Sequence, residues 1–405
     1  MQTHIKAFSS IAAFLSIALS STASANLTAG SVMTDIGAEI TPTLQTGVSS
    51  NSNFFSTPNN EESRLIWTIE PNLKAVIEDG PDSYKLNLGT SSALHNKESL
   101  DNYTQVDIDA AIHKEFTSQH RLDLTGDAKW LYESRGLGLT EGLGDAVNEL
   151  VKYQLQNVSA RYEYGAQSSK ALIAFEGGYF RKKYQNFREI SRYRDYDKSL
   201  LGITGYYNTQ AATRIFVEFK QENYDYDVLA NSGFSRDSTD LKVLAGMQWK
   251  ATAITSGTFK LGYQNKDFES NVRENFSGLS WEAAVTWKPL SYSIVKVRTS
   301  RAAKDPLVQG DYIKESVYGI DWTHNWSSDL SSIAKVDYIN EQYTGDIGRE
   351  DKTKNARLGL NYVANQFGMI STYVDFIDKS STQSAIEYDR VTVGIIFTFA
   401  LKANK

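Results

Sequence analysis

The sequence predicts an all-β protein: a transmembrane antiparallel outer-membrane β-barrel of about 18 strands, with short periplasmic turns and long extracellular loops. Three observations predict this fold. Apolar and polar residues alternate along most of the chain, the alternating segments are about ten residues long, and the connections between them are alternately short and long. Together they describe strands with one face toward lipid and the other toward a polar interior.

A hairpin within residues 277–306 shows the pattern most clearly. In its first strand, Leu279, Trp281, Ala283, Val285 and Trp287 alternate with Ser280, Glu282, Ala284, Thr286 and Lys288. A period of two gives a strand with one apolar and one polar face. We therefore predict that Val285 faces lipid and that Thr286 faces the interior.

The second strand of this hairpin carries charged residues on its polar face. After a turn at residues 288–291, Val295, Val297 and Thr299 alternate with Lys296, Arg298 and Ser300. Glu282, Lys296 and Arg298 are therefore candidates for the lumen wall, where they can form an ion pair across the hairpin.

The start of the chain predicts a cleaved signal peptide, residues 1–25. Lys6 supplies a positive charge, residues 7–19 form an apolar core too short to span a bilayer, and Ala23-Ser24-Ala25 is an A-x-A cleavage site. Cleavage after Ala25 leaves residues 26–405 as a single outer-membrane β-barrel domain; an uncleaved anchor is the alternative. The expected location is the outer membrane of a Gram-negative cell.

The composition agrees with a barrel and argues against nucleic acid as a partner. The chain has no cysteine, 12% aromatic residues and a net charge of −6, with a pI of about 5.6. A long exported chain without disulfides needs another source of stability, and barrel closure is a candidate. An acidic chain matches nucleic acid poorly, because phosphate binding needs a basic surface. The chain contains no run of about 18 apolar residues, so no membrane-spanning helix is predicted.

The other strands follow the same alternation in chain order, beginning with a segment at 36–48. Their apolar faces are marked by Leu65, Trp67 and Ile69; Tyr84, Leu86 and Leu88; Val106, Ile108 and Ile112; Leu122 and Leu124; Ile173, Phe175 and Tyr179; Leu201, Ile203 and Tyr207; Ile215, Val217 and Phe219; Leu241, Val243 and Met247; Phe259, Leu261 and Tyr263; Tyr318, Ile320 and Trp322; Ala334, Val336 and Tyr338; Leu358, Leu360 and Tyr362; Thr372, Val374 and Phe376; and Val391, Val393 and Ile395. Between residues 151 and 164 the apolar phase slips near Gln156 and Asn157, which predicts a β-bulge.

The connections fall into two classes that alternate along the chain. Short ones lie near Pro81, Ser118, Ala166, Gln210, Ile254, Pro289, Ser328 and Gln366, and long polar ones cover residues 133–149, 181–198, 223–239, 301–314 and 339–352. Outer-membrane barrels have short periplasmic turns and long outer loops, so both chain ends are expected on the periplasmic side.

No motif in the sequence predicts catalysis. The glycine-rich segment 136–144 lacks the Gly-Lys-Ser/Thr sequence of a phosphate-binding loop and is interpreted as a flexible outer loop. The histidines show no paired metal-ligand spacing, and no G-x-S-x-G nucleophile motif is present. We therefore expect no catalytic residue, no metal site and no cofactor, and we expect that the protein is not an enzyme.

The connection 181–198 is unusual because its cations are interleaved with aromatic residues. Seven of its residues form a candidate polysaccharide contact: Arg181, Lys182, Lys183, Arg188, Arg192, Tyr193 and Arg194. Aromatic rings can stack on sugars, and guanidinium groups pair with uronate or phosphate groups. A solvated loop, or a loop that contacts lipopolysaccharide phosphates, is the alternative.

A block between residues 241 and 306 carries a distinctive set of motifs. They are Gly246, Gln248 and Trp249; Gly262-Tyr263-Gln264 and Lys266-Asp267-Phe268; and Gly278-Leu279-Ser280-Trp281-Glu282 with Trp287-Lys288-Pro289. This block resembles the putative β-barrel porin type 2 family. Asn51-Ser52-Asn53-Phe54-Phe55 is similar to an early loop of that family, with a departure at its first, acidic position, and Tyr193-Arg194-Asp195 also resembles it.

The resemblance implies an outer-membrane barrel that translocates or assists secretion of an exopolysaccharide or capsular polysaccharide, acting with a periplasmic polysaccharide-export protein. The alternative is a general or substrate-specific porin for small solutes, and a structural, adhesive or enzymatic barrel is a third hypothesis. Outer-membrane lipid, lipopolysaccharide and the barrel-assembly machinery are further expected partners. The family supplies no catalytic residues to transfer.

Overall fold

The structure is a computed structural model and describes residues 27–209, 212–230, 232–250, 254–345 and 347–401. The predicted signal peptide and its cleavage site at Ala25 lie outside these residues. Eighteen long strands form a closed antiparallel barrel, in which each strand pairs with its neighbours in the chain and the last strand pairs with the first. The predicted fold class is therefore confirmed.

The strand bounds are regular around the barrel. A short β1 (Val32–Met33) precedes the barrel strands β2 (Glu39–Asn51), β3 (Arg64–Asp79), β4 (Asp82–His95), β5 (Tyr103–Thr117), β6 (His120–Glu133), β7 (Val151–Tyr164), β8 (Ala171–Tyr184), β9 (Tyr196–Asn208), β10 (Thr213–Tyr226), β11 (Ser238–Trp249), β12 (Thr255–Phe268), β13 (Phe276–Leu290), β14 (Ser293–Lys304), β15 (Ile313–Asn325), β16 (Leu330–Tyr343), β17 (Glu350–Asn365), β18 (Gly368–Ser381) and β19 (Tyr388–Ala400). One helical turn, α1 (Arg188–Ser191), and four 3-10 turns (Ser99–Asp101, Gly138–Thr140, Arg192–Arg194 and Ser384–Ile386) lie in the connections. No helix in the described ranges is long and apolar enough to cross a membrane.

The outer face of the barrel is apolar, as the alternation predicts. Large aliphatic side chains on this face have no protein cover, and Val285 lies opposite Val297 on it. Aromatic side chains lie toward both ends of the face: Tyr263 and Tyr318 toward the long loops, and Trp287 and Tyr362 toward the short turns. This arrangement matches the apolar band and the two aromatic girdles of an outer-membrane barrel.

The two ends of the barrel differ in the length of their connections. Turns such as 80–81, 118–119 and 366–367 close one end, whereas loops such as 52–63 and 134–150 close the other. The two described chain ends meet at the end with short turns, where the Gly30 amide donates to the Leu401 carbonyl at 2.8 Å. We therefore assign the end with short turns to the periplasm.

The predicted β-bulge near Gln156 and Asn157 is wrong. Strand β7 keeps an unbroken register with both β6 and β8. The apolar residues change faces along β7 because Val151 and Tyr153 point into the barrel. There they pack against Leu139, which lies in the loop that follows β6. Register shifts occur instead next to three short turns, between Glu115 and Thr117, between Trp287 and Leu290, and between Val363 and Asn365.

Four of the five predicted long connections are shorter than the sequence indicated: 223–239, 301–314 and 339–352 become 227–237, 305–312 and 344–349, and 181–198 shortens as well. Strand β8 continues to Tyr184 and β9 begins at Tyr196, so the loop between them is 185–195 rather than 181–198. Strand β13 likewise continues to Leu290, beyond the expected start of its turn. Strands that project past the membrane carry polar residues on both faces there, which removes the alternation used to find their ends.

Replacing Val285 or Thr286 by arginine tests the strand register. Val285→Arg should lower the free energy of unfolding by about 2 kcal/mol. This is the lower end of the cost for an arginine on the lipid face at the bilayer midplane, because Trp287 marks the membrane interface nearby. Thr286→Arg should cost much less, because this side chain points into the lumen. Urea titrations of both variants in phospholipid vesicles measure the costs, and equal costs would contradict the register.

Candidate functional site: the lumen and its outer mouth

The inner wall of the barrel is lined by ion pairs between neighbouring strands. Lys220 lies 3.2 Å from Glu176, Lys260 lies 3.4 Å from Glu218, and Lys198 lies 2.7 Å from Glu222. On a second part of the wall Arg357 pairs with Asp375, and Arg298 pairs with Asp321 at 2.6 Å. Cations and carboxylates thus alternate around the lumen, which makes it a polar conduit rather than an apolar core.

Glu282, Lys296 and Arg298 all occupy inward positions of their strands, but no ion pair joins Glu282 to the other two among the described residues. Glu282 lies opposite Ser300 and 3.5 Å from Lys260 of the preceding strand. The predicted ion pair across the hairpin is therefore wrong, because the partner of Glu282 comes from β12 instead of β14.

Arg298 forms its contacts in the other direction around the barrel. Its guanidinium donates to Asp321 at 2.6 Å and also to Asp337, which lies two strands away. Gly319 lies between them, and a Cβ atom there would come within 2.7 Å of Arg298 Cζ. Absence of a side chain at this position therefore lets Arg298 lie flat along the wall.

The longest outer loop folds into the mouth of the barrel. This segment, residues 134–150, is named the crossing loop, and its Leu139 and Thr140 are buried. Its Glu141 carboxylate accepts from Arg349 at 2.7 Å and from Lys379. Lys379 lies on β18, which is separated from β6 around the barrel by β5, β4, β3, β2 and β19. The crossing loop therefore spans part of the opening and narrows it.

The base of the crossing loop is fixed by a buried glutamate at the end of β6. Glu133 accepts a hydrogen bond from the Leu139 amide at 2.8 Å and another from the Tyr184 hydroxyl at 2.9 Å, and Lys182 lies 3.6 Å away. Gly138 lies directly against this carboxylate, with a positive φ of 59°. The loop therefore leaves β6 in an inward direction set by hydrogen bonds to Glu133.

The Asn-Ser-Asn-Phe-Phe motif lies beneath the crossing loop, and its last three residues are buried. Asn53 is fully buried, and its side-chain amide donates to the Thr57 carbonyl at 2.8 Å and to the Asp389 carbonyl at 3.0 Å. Phe54 and Phe55 are buried as well and stack edge to face. This motif joins loop 52–63 to the start of β19, at the seam where the barrel closes.

A buried cluster of charges connects three outer loops around this motif. Asp101 lies 2.6 Å from Arg135 and 3.8 Å from Arg64, and both guanidinium groups lie within 5.4 Å of the Phe55 ring centre. Burial raises the pKa of the Asp101 carboxyl above its ordinary value, and the two arginines oppose that shift. The cluster therefore holds loops 52–63, 96–102 and 134–150 together.

The glycine-rich segment lies in an outer loop, as interpreted, but it is packed against neighbouring loops rather than free of contacts. The Phe55 carbonyl lies between Gly136 and Gly144, and a Cβ atom at either glycine would overlap its oxygen. A Cβ atom on Gly142 would lie 3.0 Å from the Ile386 side chain. These glycines allow close backbone contact, which is the physical reason for their spacing.

The remaining outer loops make contacts over another part of the mouth. Arg194 donates to the carbonyl oxygens of Val308 and, at 3.4 Å, Pro306, and Arg236 donates to Pro306 at 3.3 Å. Arg273 donates to Asp311 at 3.0 Å. The mouth is therefore narrowed by two groups of loops, and cations in these loops bond to backbone carbonyls as well as to carboxylates.

The structure distributes the seven predicted polysaccharide-contact residues over three places. Arg181 and Lys183 point outward from β8, and Arg181 lies 3.4 Å from Asp197. Lys182 points inward and is buried beside Glu133. The other four residues lie in loop 185–195.

Within that loop the cations have protein partners. Arg188 lies 2.7 Å from Asp195, and the Arg192 guanidinium lies 4.8 Å from the Tyr193 ring centre. Arg194 bonds to the neighbouring loop, as described above. The seven residues do not form one continuous cationic surface.

Sequence reasoning missed the residues that shape the mouth. Glu141 is separated from Arg349 by 208 positions and from Lys379 by 238. Pairing over such distances leaves no local pattern. The one local signal was the repeated glycine of segment 136–144, which indicates close backbone contact when no phosphate motif accompanies it.

The sequence pattern of the family described as putative β-barrel porin 2 matches residues 39–400. The chain belongs to this family. The resemblance stated from the central motifs is thereby confirmed. No curated protein matches the sequence.

One solved structure shows the same fold at low sequence identity, and two others are similar to a lesser degree. A BenF-like porin from Pseudomonas fluorescens Pf-5 has a TM-score of 0.51 at 10% identity, with 91% of this chain and 100% of that one covered. The outer membrane protein opdK from Pseudomonas aeruginosa has a TM-score of 0.48 at 7% identity, covering 89% of this chain and 98% of that one. The FrpB iron transporter from Neisseria meningitidis (F3-3 variant) has a TM-score of 0.46 at 10% identity, with 84% of this chain covered. The present chain spans 62% of the length of that transporter.

Releasing the crossing loop should widen the mouth of this porin-family barrel. Glu141→Gln removes the charge shared by Arg349 and Lys379 and should weaken loop anchoring by about 2–5 kcal/mol. Single-channel recordings in planar bilayers should then show a higher conductance than the parent protein. Asp145→Asn, an equal charge change at an exposed position of the same loop, should leave conductance unchanged. Equal conductance of Glu141→Gln and the parent would contradict the anchoring role.

The glycine contacts can be tested with two matched alanine substitutions. Gly144→Ala should lower stability by about 1–3 kcal/mol, because its Cβ atom overlaps the Phe55 carbonyl. Gly177→Ala on β8 should be neutral, because nothing lies within 4 Å of its Cβ position. Thermal unfolding and protease cleavage within the outer loops report the two effects. Matching protease resistance in both variants would exclude a packing role for Gly144.

Proposed function

We propose that this barrel is a porin that conducts small hydrophilic solutes across the outer membrane. The observation that carries the proposal is the mouth: the crossing loop spans it and is bonded to a distant part of the wall through Glu141, Arg349 and Lys379. A conduit narrowed in this way admits small solutes and excludes large ones. Porin-type barrels are channels rather than enzymes, which agrees with the expected absence of catalysis.

The character of the lumen supports the same proposal. Its inward side chains are charged and arranged in pairs, so a passing solute can exchange hydrogen bonds with water for hydrogen bonds with the wall. Because neighbouring charges are opposite in sign, no solute is held tightly by a single large charge, and release stays fast. A barrel of this strand number has room for a water-filled interior.

Polysaccharide export, the function implied first by the family resemblance, is less well supported by this geometry. A polymer must pass the mouth along its whole length, so the crossing loop would have to leave its buried contacts with Glu133 and Phe55 during transport. The cations proposed to attract an acidic polymer are divided between two faces of β8 and a loop in which they have protein partners. Export therefore remains the alternative that the experiment must separate.

Swelling of proteoliposomes loaded with the purified barrel tests the porin proposal. Swelling rates should be high for monosaccharides and amino acids and should fall steeply through a series of longer oligosaccharides. Glu141→Gln should shift that size limit upward, whereas Asp145→Asn should not. No swelling with any small solute, combined with loss of cell-free polymer in a gene-deletion strain, would contradict the porin and favour export.

A further inference from the structure

The pairing of β13 with β14 stops before either strand reaches its outer end. The last paired position on the outer side is Trp281 opposite Arg301. Beyond it, β13 continues over residues 276–280 and pairs there with β12 alone, whereas β14 continues over residues 302–304 and pairs there with β15 alone. These two stretches are named the outer seam. The barrel wall is therefore split along the outer seam, next to the long loops.

A glutamine side chain takes the place of the missing strand partner. Continuation of the register would place Ala303 opposite Leu279. Instead, the Ala303 amide donates to the side-chain oxygen of Gln264 at 2.8 Å, and the Ala303 carbonyl accepts from the side-chain nitrogen of Gln264 at 3.0 Å. The same nitrogen donates to Asp240 at 2.7 Å, and Gln264 is fully buried. A carboxamide offers the same kinds of donor and acceptor as a peptide group, so Gln264 substitutes for the backbone of Leu279.

Further contacts draw the outer end of β14 to the inner side of the wall. Gln264 and Lys266 both lie on β12, at inward positions that alternate with the exposed Tyr263. The buried Lys266 lies 3.2 Å from Asp305, the first residue after β14. The apolar side chains that pack with Ala303 are Phe268, Phe276 and Tyr312. The end of β14 therefore lies over β12 and β13 on the lumen side.

The direction of this strand end sets the course of the loop that follows it. Loop 305–312 joins β14 to β15, and its Pro306 and Val308 carbonyls accept hydrogen bonds from Arg194 and Arg236. These arginines belong to the loops after β8 and β10. Strands β11, β12 and β13 lie between β10 and β14 around the barrel. Loop 305–312 therefore reaches across the outer ends of three strands and narrows the mouth.

We propose that the outer seam is a gate of the channel with two pairing states. In the split state, which the structure shows, Ala303 bonds to Gln264 and loop 305–312 lies in the mouth. In the zipped state Ala303 bonds to Leu279, the ladder continues outward and the loop leaves the mouth. Two hydrogen bonds are exchanged for two of the same chemistry, so the states differ mainly in the contacts of the loop. Gln264 is thus a positioning residue that sets the width of the channel. The gate rests on the proposed porin function, whereas the two pairing states do not.

Disulfide trapping in outer-membrane vesicles tests the two states. The chain has no cysteine, so Leu279→Cys with Ala303→Cys reports the zipped state without interference. Residues opposite each other in a hydrogen-bonded antiparallel pair have Cα atoms about 5.5 Å apart, which suits a disulfide. With Gln264 present, a minor fraction should cross-link. Gln264→Met leaves the Ala303 amide and carbonyl without a partner in the split state. It should raise the ratio of cross-linked to free protein about tenfold, because an unpaired buried backbone group is costly.

Two controls use the same strands and the same substitution. Val285→Cys with Val297→Cys, already opposite each other on β13 and β14, should cross-link equally with and without Gln264→Met. Gln248→Met changes an inward glutamine of β11 whose side chain forms no hydrogen bond among the described residues, and it should leave trapping at the seam unchanged. Heat-modifiable gel mobility confirms that each variant is folded.

Single-channel recordings connect the pairing state to the width of the channel. Gln264→Met should conduct more than the parent protein, and so should the cross-linked Leu279→Cys, Ala303→Cys variant, until a reductant returns it to the parent value. Complete cross-linking with Gln264 present, or cross-linking that Gln264→Met does not raise, would overturn the competition between Gln264 and Leu279. Raised cross-linking with unchanged conductance would overturn the gate. A parent barrel that conducts nothing, while Gln264→Met still raises cross-linking, would contradict the porin and support the two pairing states.

Discussion

Closure of the ring between the last strand and the first is the constraint on which the rest of the structure depends. Strand β19 pairs with β2 from Thr392 opposite Asn51 to Ala400 opposite Thr43. Inside a bilayer no water is available to pair with a free strand edge, so every backbone amide and carbonyl must bond within the protein. A closed ring satisfies this need without helices. It also forces each strand to have one face toward lipid and one toward the lumen.

Once the ring is closed, the outer loops are the part of the molecule that can vary in shape. The crossing loop is shaped by interactions of very different range: Glu133 bonds its base, the Phe55 carbonyl fits between its glycines, and Glu141 reaches Arg349 and Lys379 across the mouth. Buried charges such as Asp101 need partners, because an isolated buried charge is costly. Loops that share such a cluster are therefore ordered together, and a wide barrel becomes a narrow conduit.

Charged residues are arranged differently on the inner and outer faces of the barrel. Inside, cations and carboxylates pair at close range and keep the lumen polar without a strong net charge. Outside, charge is confined to the ends of the strands, where Arg301 and Lys314 stand beyond the apolar band without carboxylate partners among the described residues. In the segment selected from sequence for its unusual charge, Arg188 pairs with Asp195 and Arg194 bonds to the backbone of a neighbouring loop.

The sequence by itself determined the barrel, its strand number and which residues face lipid, because a period of two is a local property that each strand carries independently. The alternation of loop lengths determined the orientation in the same way. Tertiary structure alone decided the shape of the mouth and the charge pairs, because Glu141, Arg349 and Lys379 meet only after the ring has closed. Strand β7, whose register is unbroken, shows the same limit. An apolar side chain such as Tyr153 can lie on the inner face because the crossing loop covers it, and distant contacts fold that loop inward.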